Sequence, residues 1–209
     1  AESSAAQQHR AARTGVLPPR QGRSIRTGKS KTVSVVSFNS RGWNGGQQHE
    51  KLDLIINWMC MHGVDVCAVQ ETWDGETGTL TYKGFTVIRQ CKGKNWRHSV
   101  GIILAPRIVE AWKDAGCEVH RSERVIAARW GSGRDAGGCV CAYAPTSKYS
   151  DTTHGKFLGR VAKAMQWAKA NTHNATLCMD ANAAIGRNPL DGAMGETSPA
   201  RGKFNGART

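Results

Sequence analysis

Residues Ala175-Thr176-Leu177-Cys178-Met179-Asp180-Ala181-Asn182 form a short, mainly apolar run that stops at a carboxylate, with an amide two positions later. Runs of this kind read as buried strands, and in open α/β sheets ligands bind beyond the carboxyl ends of the strands. Three further runs repeat the pattern: Val33–Phe38 ends in Asn39, Asp65–Gln70 in Glu71, and Gly138–Ala142 in Tyr143. An amide, a carboxylate, a phenol and an Asp-x-Asn pair are therefore expected on one rim. They do not resemble a metal-thiolate or nucleophilic-serine set. Hard oxygen donors suit Mg²⁺, which keeps several waters and works beside substrate phosphates. The pattern points to phosphodiester cleavage.

Four segments then occur in a telling order: Ser37-Phe38-Asn39-Ser40-Arg41-Gly42, Val69-Gln70-Glu71-Thr72-Trp73, Ala142-Tyr143-Ala144-Pro145-Thr146 and Met179-Asp180-Ala181-Asn182-Ala183. Together they resemble the endonuclease/exonuclease/phosphatase superfamily, and within it the apurinic-endonuclease-like domain of non-LTR retrotransposons. His98–Leu104 is similar to the family's central strand and Ser122–Arg129 to the strand that follows. The resemblance covers about residues 32–209. It implies an α/β fold of the α+β type with mixed sheets, a four-layer α/β sandwich of two β-sheets flanked by helices. It also implies a DNA endonuclease using Mg²⁺, with Mn²⁺ as a substitute. The family closes with a Ser-Asp-His motif, and no such triplet occurs in these residues. Phe204-Asn205-Gly206 resembles a loop that precedes the family's final strands. The resemblance therefore implies a domain whose C-terminal strands are missing, with an unpaired sheet edge, poor solubility and little or no activity.

The resemblance also assigns roles. Glu71 and Asn39 would hold the metal; Asp180 would orient or deprotonate the attacking water, Asn182 would hold that water or the phosphate, and Tyr143 would donate to a phosphate oxygen. Arg41 stands where apurinic-site repair enzymes carry an acidic residue and retrotransposon-type members carry Arg, which argues against a dedicated repair enzyme. Trp43, Trp73 and Trp96 fall in loops near the rim, where aromatic rings stack on bases, and Trp96 and Arg97 join Arg41 as expected nucleic-acid contacts. His98 and His154 match no position of the family's His and are expected at the surface. Each residue also has a plain reading, as a strand-end turn residue or a packing aromatic; their order along the chain decides between the two.

Composition agrees with a polyanionic partner. Lys and Arg number 29 against 16 Asp and Glu, a net charge of +13, which favours nucleic acid or an anionic membrane surface. The seven Cys form no Cys-x-x-Cys pair, and several lie inside apolar runs. They read as reduced, buried thiols of an intracellular, nuclear or cytoplasmic protein. Cys139 and Cys141 share a strand face without a second pair to complete a zinc site. No apolar run has the length of a membrane span. Two rivals remain open: a catalytically inactive, basic nucleic-acid-binding remnant, and a phosphoinositide phosphatase or sphingomyelinase of the same fold.

Residues 1–31 form a separate zone. Arg10, Arg13, Arg20, Arg23, Arg26, Lys29 and Lys31 face a single acid, Glu2, among Pro, Gly and Ser. Such a segment buries too little apolar surface to offset its ordering entropy and is expected to be a disordered tail: a nucleic-acid arm, a nuclear or organelle address, or a linker. From Lys31 on, the pattern predicts a strand at Val33–Phe38 and a glycine-rich loop at 42–46. A helix carrying Leu52, Ile55, Ile56 and Met59 then ends at Gly63. Short strands follow at Phe85–Ile88, Ser99–Leu104, Ile108–Trp112 and Arg124–Trp130. A second helix, capped by Asp151 or Thr153, presents Phe157, Val161, Met165 and Ala168 and runs to about Asn171. Residues 92–94 and 186–209 read as turn or loop.

If the tail is a nucleic-acid arm, deleting residues 1–31 weakens duplex binding and flattens its salt dependence by roughly 0.9 in log–log slope for each phosphate no longer neutralised. An unchanged slope in anisotropy titrations marks it as a linker or an address.

Overall fold

The computed structural model describes residues 32–43, 50–91, 96–170, 172 and 174–182. The expectations for the 1–31 tail, the loop beyond residue 43, the turn at 92–94, the helix end at 171 and the segment after residue 182 lie outside the described residues.

Two sheets carry the domain. Among the described residues the first contains β1 (Val35–Asn39), β2 (Val66–Gln70), β3 (Gly78–Tyr82), β4 (Phe85–Gln90) and β5 (Val100–Leu104) in the order β1-β2-β5-β4-β3. The second contains β6 (Val119–Ser122), β7 (Val125–Trp130), β8 (Gly137–Tyr143) and β9 (Asn174–Asp180) in sequence order. Each sheet has one parallel pair, β1 with β2 and β8 with β9, and the remaining pairs are antiparallel. Both parallel pairs need a crossover, and helices α1 (Glu50–His62) and α3 (Asp151–Lys169) supply them.

The layers follow from residue pattern. In α1, Leu52, Ile55, Ile56 and Met59 recur at helical spacing and bury against Cys67, Val69, Val87 and Ile103 on the outer face of the first sheet. In α3, Phe157, Val161, Ala164 and Ala168 do the same against Val125, Ala127, Val140 and Ala142 of the second. Between the sheets, Val66, Ala68, Ile102 and Leu104 meet Ile126, Ala128, Cys139 and Cys141. The order helix, sheet, sheet, helix is the four-layer sandwich anticipated above. Central strands β2, β5 and β8 are buried on both faces, which is why they read as unbroken apolar runs.

Three details differ from expectation. Residues 108–112 are helical: α2 (Pro106–Asp114) starts with Pro at its first turn, and Ile108, Val109 and Trp112 plug one end of the inter-sheet core. Pro at that position is pre-set for the first helical turn, a stronger cue than the β-branched composition. The edge strands β3 and β6 were not expected. Ser150, rather than Asp151 or Thr153, caps α3 by accepting from the Thr153 N–H. Among the described residues β1 pairs only with β2 and β9 only with β8, and Phe38, Leu54, Trp58 and Met61 beside β1 stay exposed.

Gly101 marks a tight spot in β5. A Cβ there would lie 2.8 Å from the Trp43 ring and 3.2 Å from the Ile88 carbonyl. Gly101→Ala is expected to cost about 1–3 kcal/mol of overpacking, read as a lower urea midpoint at unchanged slope. A wild-type midpoint would mean that Trp43 is free to shift.

Candidate active site

The two parallel pairs end at the same rim. Asn39 stands opposite Gln70 at the end of β1–β2, and Tyr143 opposite Asp180 at the end of β8–β9. Antiparallel β5 and β7 begin there, with Val100 opposite Gln70 and Val125 opposite Ala142. Residues just before those strands, including His98 and Arg124, are thus drawn to the same rim.

The Asn39 side chain joins the two sheets. Its Nδ2 donates to Glu71 Oε1 at 3.0 Å and to Asp180 Oδ2 at 2.7 Å, while its Oδ1 accepts from the Arg41 N–H at 3.1 Å. The other Asp180 oxygen accepts from the Asn182 N–H at 3.0 Å. Asn182 in turn donates from Nδ2 to the Ala144 carbonyl at 2.6 Å, and the Ala144 N–H donates to the Asp180 carbonyl at 2.9 Å. The Glu71 carbonyl accepts from the Gly42 N–H at 2.6 Å and the Ser40 hydroxyl at 2.9 Å, and neighbouring Thr72 donates to Ser99 Oγ at 2.7 Å. These bonds hold backbone in a costly conformation. Among the described residues seven non-glycine residues have positive φ, and five of them, Arg41, Glu71, Trp73, Arg124 and Asn182, flank this rim. The chain thus strains its backbone where it aims these side chains.

Tyr143 is buried behind the carboxylates. Burial first raises its phenol above the usual value; hydrogen bonding to Asn182 works against this, and hydrogen bonding to Glu71 and the charges of Glu71 and Asp180 work with it. The hydroxyl therefore stays protonated at neutral pH and serves as a donor. Half-buried His98 lies 6.1 Å, ring to ring, from Tyr143, with its Nε2 3.2 Å from Arg124 Nη2. Burial and then the Arg124 charge hold its imidazole below the ordinary 6.5, partly offset by Glu123 and Glu71. It belongs to the rim rather than the open surface expected for it. His154 sits at the start of α3 with a ring nitrogen 3.2 Å from the Thr146 carbonyl. Neither His98 nor Arg124 carries a local sequence signal of its role; their position before antiparallel strands is visible only once the sheet order is known.

The donor set fits Mg²⁺. Two carboxylates, Glu71 and Asp180, meet across the Asn39 amide, and carboxylate oxygens are donors of the kind this ion takes beside water and phosphate; among the described residues no group of three or more His, Cys, Asp or Glu gathers there. The Glu71 carboxylate is met by Asn39 and by Tyr143, and both Asp180 oxygens are engaged. In the arrangement seen, Asn39 spaces the carboxylates with its NH₂. Of the expected nucleic-acid contacts, Arg41 is exposed at the rim and Trp96 and Arg97 are exposed on the short 3₁₀ turn, Trp96–His98, before β5. The Arg97 guanidinium lies 5.5 Å from the Trp96 ring and 5.9 Å from Trp73, and those two rings pack edge to face at 5.8 Å. This forms an aromatic and cationic shelf two residues beyond Glu71.

No family profile matches the chain, and no curated protein does. Solved structures do. The AP endonuclease of Leishmania major superposes with a TM-score of 0.52 at 15% identity, covering 73% of this chain and 56% of the other. An AP endonuclease from Archaeoglobus fulgidus gives 0.48 at 17%, covering 73% and 58%. The endonuclease domain of TRAS1, a telomere-specific non-LTR retrotransposon, gives 0.46 at 12%, covering 74% and 61%. The chain spans less than two thirds of the length of each of these. On the first of these likenesses the chain shares the fold of that AP endonuclease.

Because the folded pKa of His98 lies below 6.5, the unfolded chain takes up the proton first, so stability is complete above pH 6.5 and declines on acidification below it. His120, also lowered by burial, acts in the same sense. His98→Gln is expected to flatten the loss of unfolding free energy below pH 6.5, and the His98 ring signals to titrate below 6.5 by NMR. A midpoint above 6.5 would contradict the burial described.

Proposed function

We propose that the rim is a Mg²⁺-dependent phosphodiester hydrolase site acting on DNA, of the retrotransposon endonuclease type. The observation that carries this reading is the Asn39 amide bound to Glu71 from one sheet and Asp180 from the other. The fold supports a nuclease, the basic balance supports a polyanionic substrate, and the retrotransposon type rests on the four motifs and on Arg41.

Glu71, placed directly after β2, is the residue to hold the ion, and Asn39 fixes its carboxylate. When bound, Mg²⁺ supplies positive charge to the phosphate oxygens. Asp180, held by hydrogen bonds from Asn39 and the Asn182 N–H, accepts a hydrogen bond from the attacking water and orients it. Asn182, held by the Ala144 carbonyl and by Tyr143, holds that water or the phosphate. Protonated Tyr143 donates to a non-bridging oxygen, where charge develops as water attacks. Arg41, Trp96 and Arg97 would supply phosphate pairing and base stacking to a strand entering the site.

Supercoiled plasmid is expected to be nicked with Mg²⁺ and spared with EDTA by a form extended through a Ser-Asp-His segment, in which the substitutions are made, and nicked little or not at all by residues 1–209 alone. Glu71→Gln and Asp180→Asn are each expected to slow nicking by about 10²–10⁴-fold while duplex binding holds. No nicking with intact binding favours the inactive binding protein, and turnover of phosphoinositide or sphingomyelin head groups in place of DNA favours the lipid-directed reading.

A further inference from the structure

Among the described residues Arg124 is a buried cation without an anion. It is 5% exposed, and its Nη1 is buried with no hydrogen-bond partner. Among the described residues its Nη2 meets a ring nitrogen, His98 Nε2, 3.2 Å away. The adjacent acid, Glu123, is engaged elsewhere, 2.9 Å from Arg160. The guanidinium lies 5.1 Å from the Tyr149 ring and 5.8 Å from the Tyr143 ring. His98 packs on the same two tyrosines, ring centroids 6.3 Å and 6.1 Å away. A cation removed from water and left unpaired is costly, and left-handed φ at Arg124, +63°, adds strain. Such costs concentrate where a ligand relieves them.

We propose that Arg124, His98 and Tyr149 form a phosphate-binding pocket, which takes an internal phosphodiester of the DNA strand next to the one being cut. The proposal rests on the hydrolase reading for its substrate class. The pocket shares Tyr143 as a wall with the carboxylate site, so a strand threaded past Glu71 brings a neighbouring phosphate to Arg124. Guanidinium is the group best suited to a phosphate, offering paired donors in one plane. Tyr149, 39% exposed, closes the outer side, and its rotation admits the anion.

The test is run in EDTA, so it does not depend on cleavage. Duplex DNA with and without a 5′-phosphate is titrated by anisotropy against wild type, Arg124→Met and Tyr149→Ala over a range of salt, and inorganic phosphate is titrated against the His98 ring signals. Arg124→Met keeps the apolar stem and removes the charge. It is expected to weaken duplex binding by about ten- to a hundredfold and to reduce the salt slope by about 0.9, with a melting temperature equal to or above wild type. Tyr149→Ala is expected to weaken binding in the same direction, and phosphate to shift the His98 signals. Wild-type affinity and slope in Arg124→Met, or a lowered melting temperature with unchanged binding, would make Arg124 a structural residue and overturn the proposal. Dependence on the 5′-phosphate would also overturn it, in favour of a terminal monoester. Absence of Mg²⁺-dependent nicking leaves these binding results standing and counts only against the hydrolase reading.

Discussion

Glu71 and Asp180 carry like charge and come from different sheets, so their approach depends on one donor group between them. The Asn39 NH₂ donates to both, and its own carbonyl is fixed by the Arg41 N–H. The rest of the rim is arranged to keep that amide in place. Asn39 ends β1 in parallel register with β2, and Asp180 ends β9 in parallel register with β8. A shift of one residue in either pair would turn the side chain to the opposite face. Charge, register and site geometry are thus one constraint.

Register across the sheets is secured below the rim by Gln70. Its buried amide nitrogen lies 3.1 Å from Ser37 Oγ, 3.4 Å from Cys141 Sγ and 3.4 Å from the Cys178 carbonyl, tying β2 to its neighbour and to the second sheet. A buried polar group with partners of this kind specifies one arrangement of the core. The cysteines around it act as small apolar packers: burial pushes the Cys67 thiol up to about 12 and raises Cys141 as well, so they stay protonated and inert. All seven thiols are free.

Most of this was legible in the sequence because buried strands leave unbroken apolar runs and because the polar residues ending them stand out. Asn39, Glu71, Tyr143, Asp180 and Asn182 were all marked by that boundary. The helix at 106–114 was not, since Ile108, Val109 and Trp112 suit a strand as well as a helix and only Pro106 tips the balance. Edge strands β3 and β6 carry polar residues and give weak alternation. His98 and Arg124 were hidden for another reason: burial of a charged or titratable group depends on which strands become neighbours, and that is a property of topology rather than of local pattern.

The claim that this rim is a divalent-metal site is tested most directly by crystals soaked in Mn²⁺ and measured at the manganese edge. The account predicts an anomalous peak within bonding distance of a Glu71 carboxylate oxygen, on the rim shared with Asp180, that disappears in Glu71→Gln. A peak elsewhere with none at Glu71, or one that persists in that variant, would contradict it.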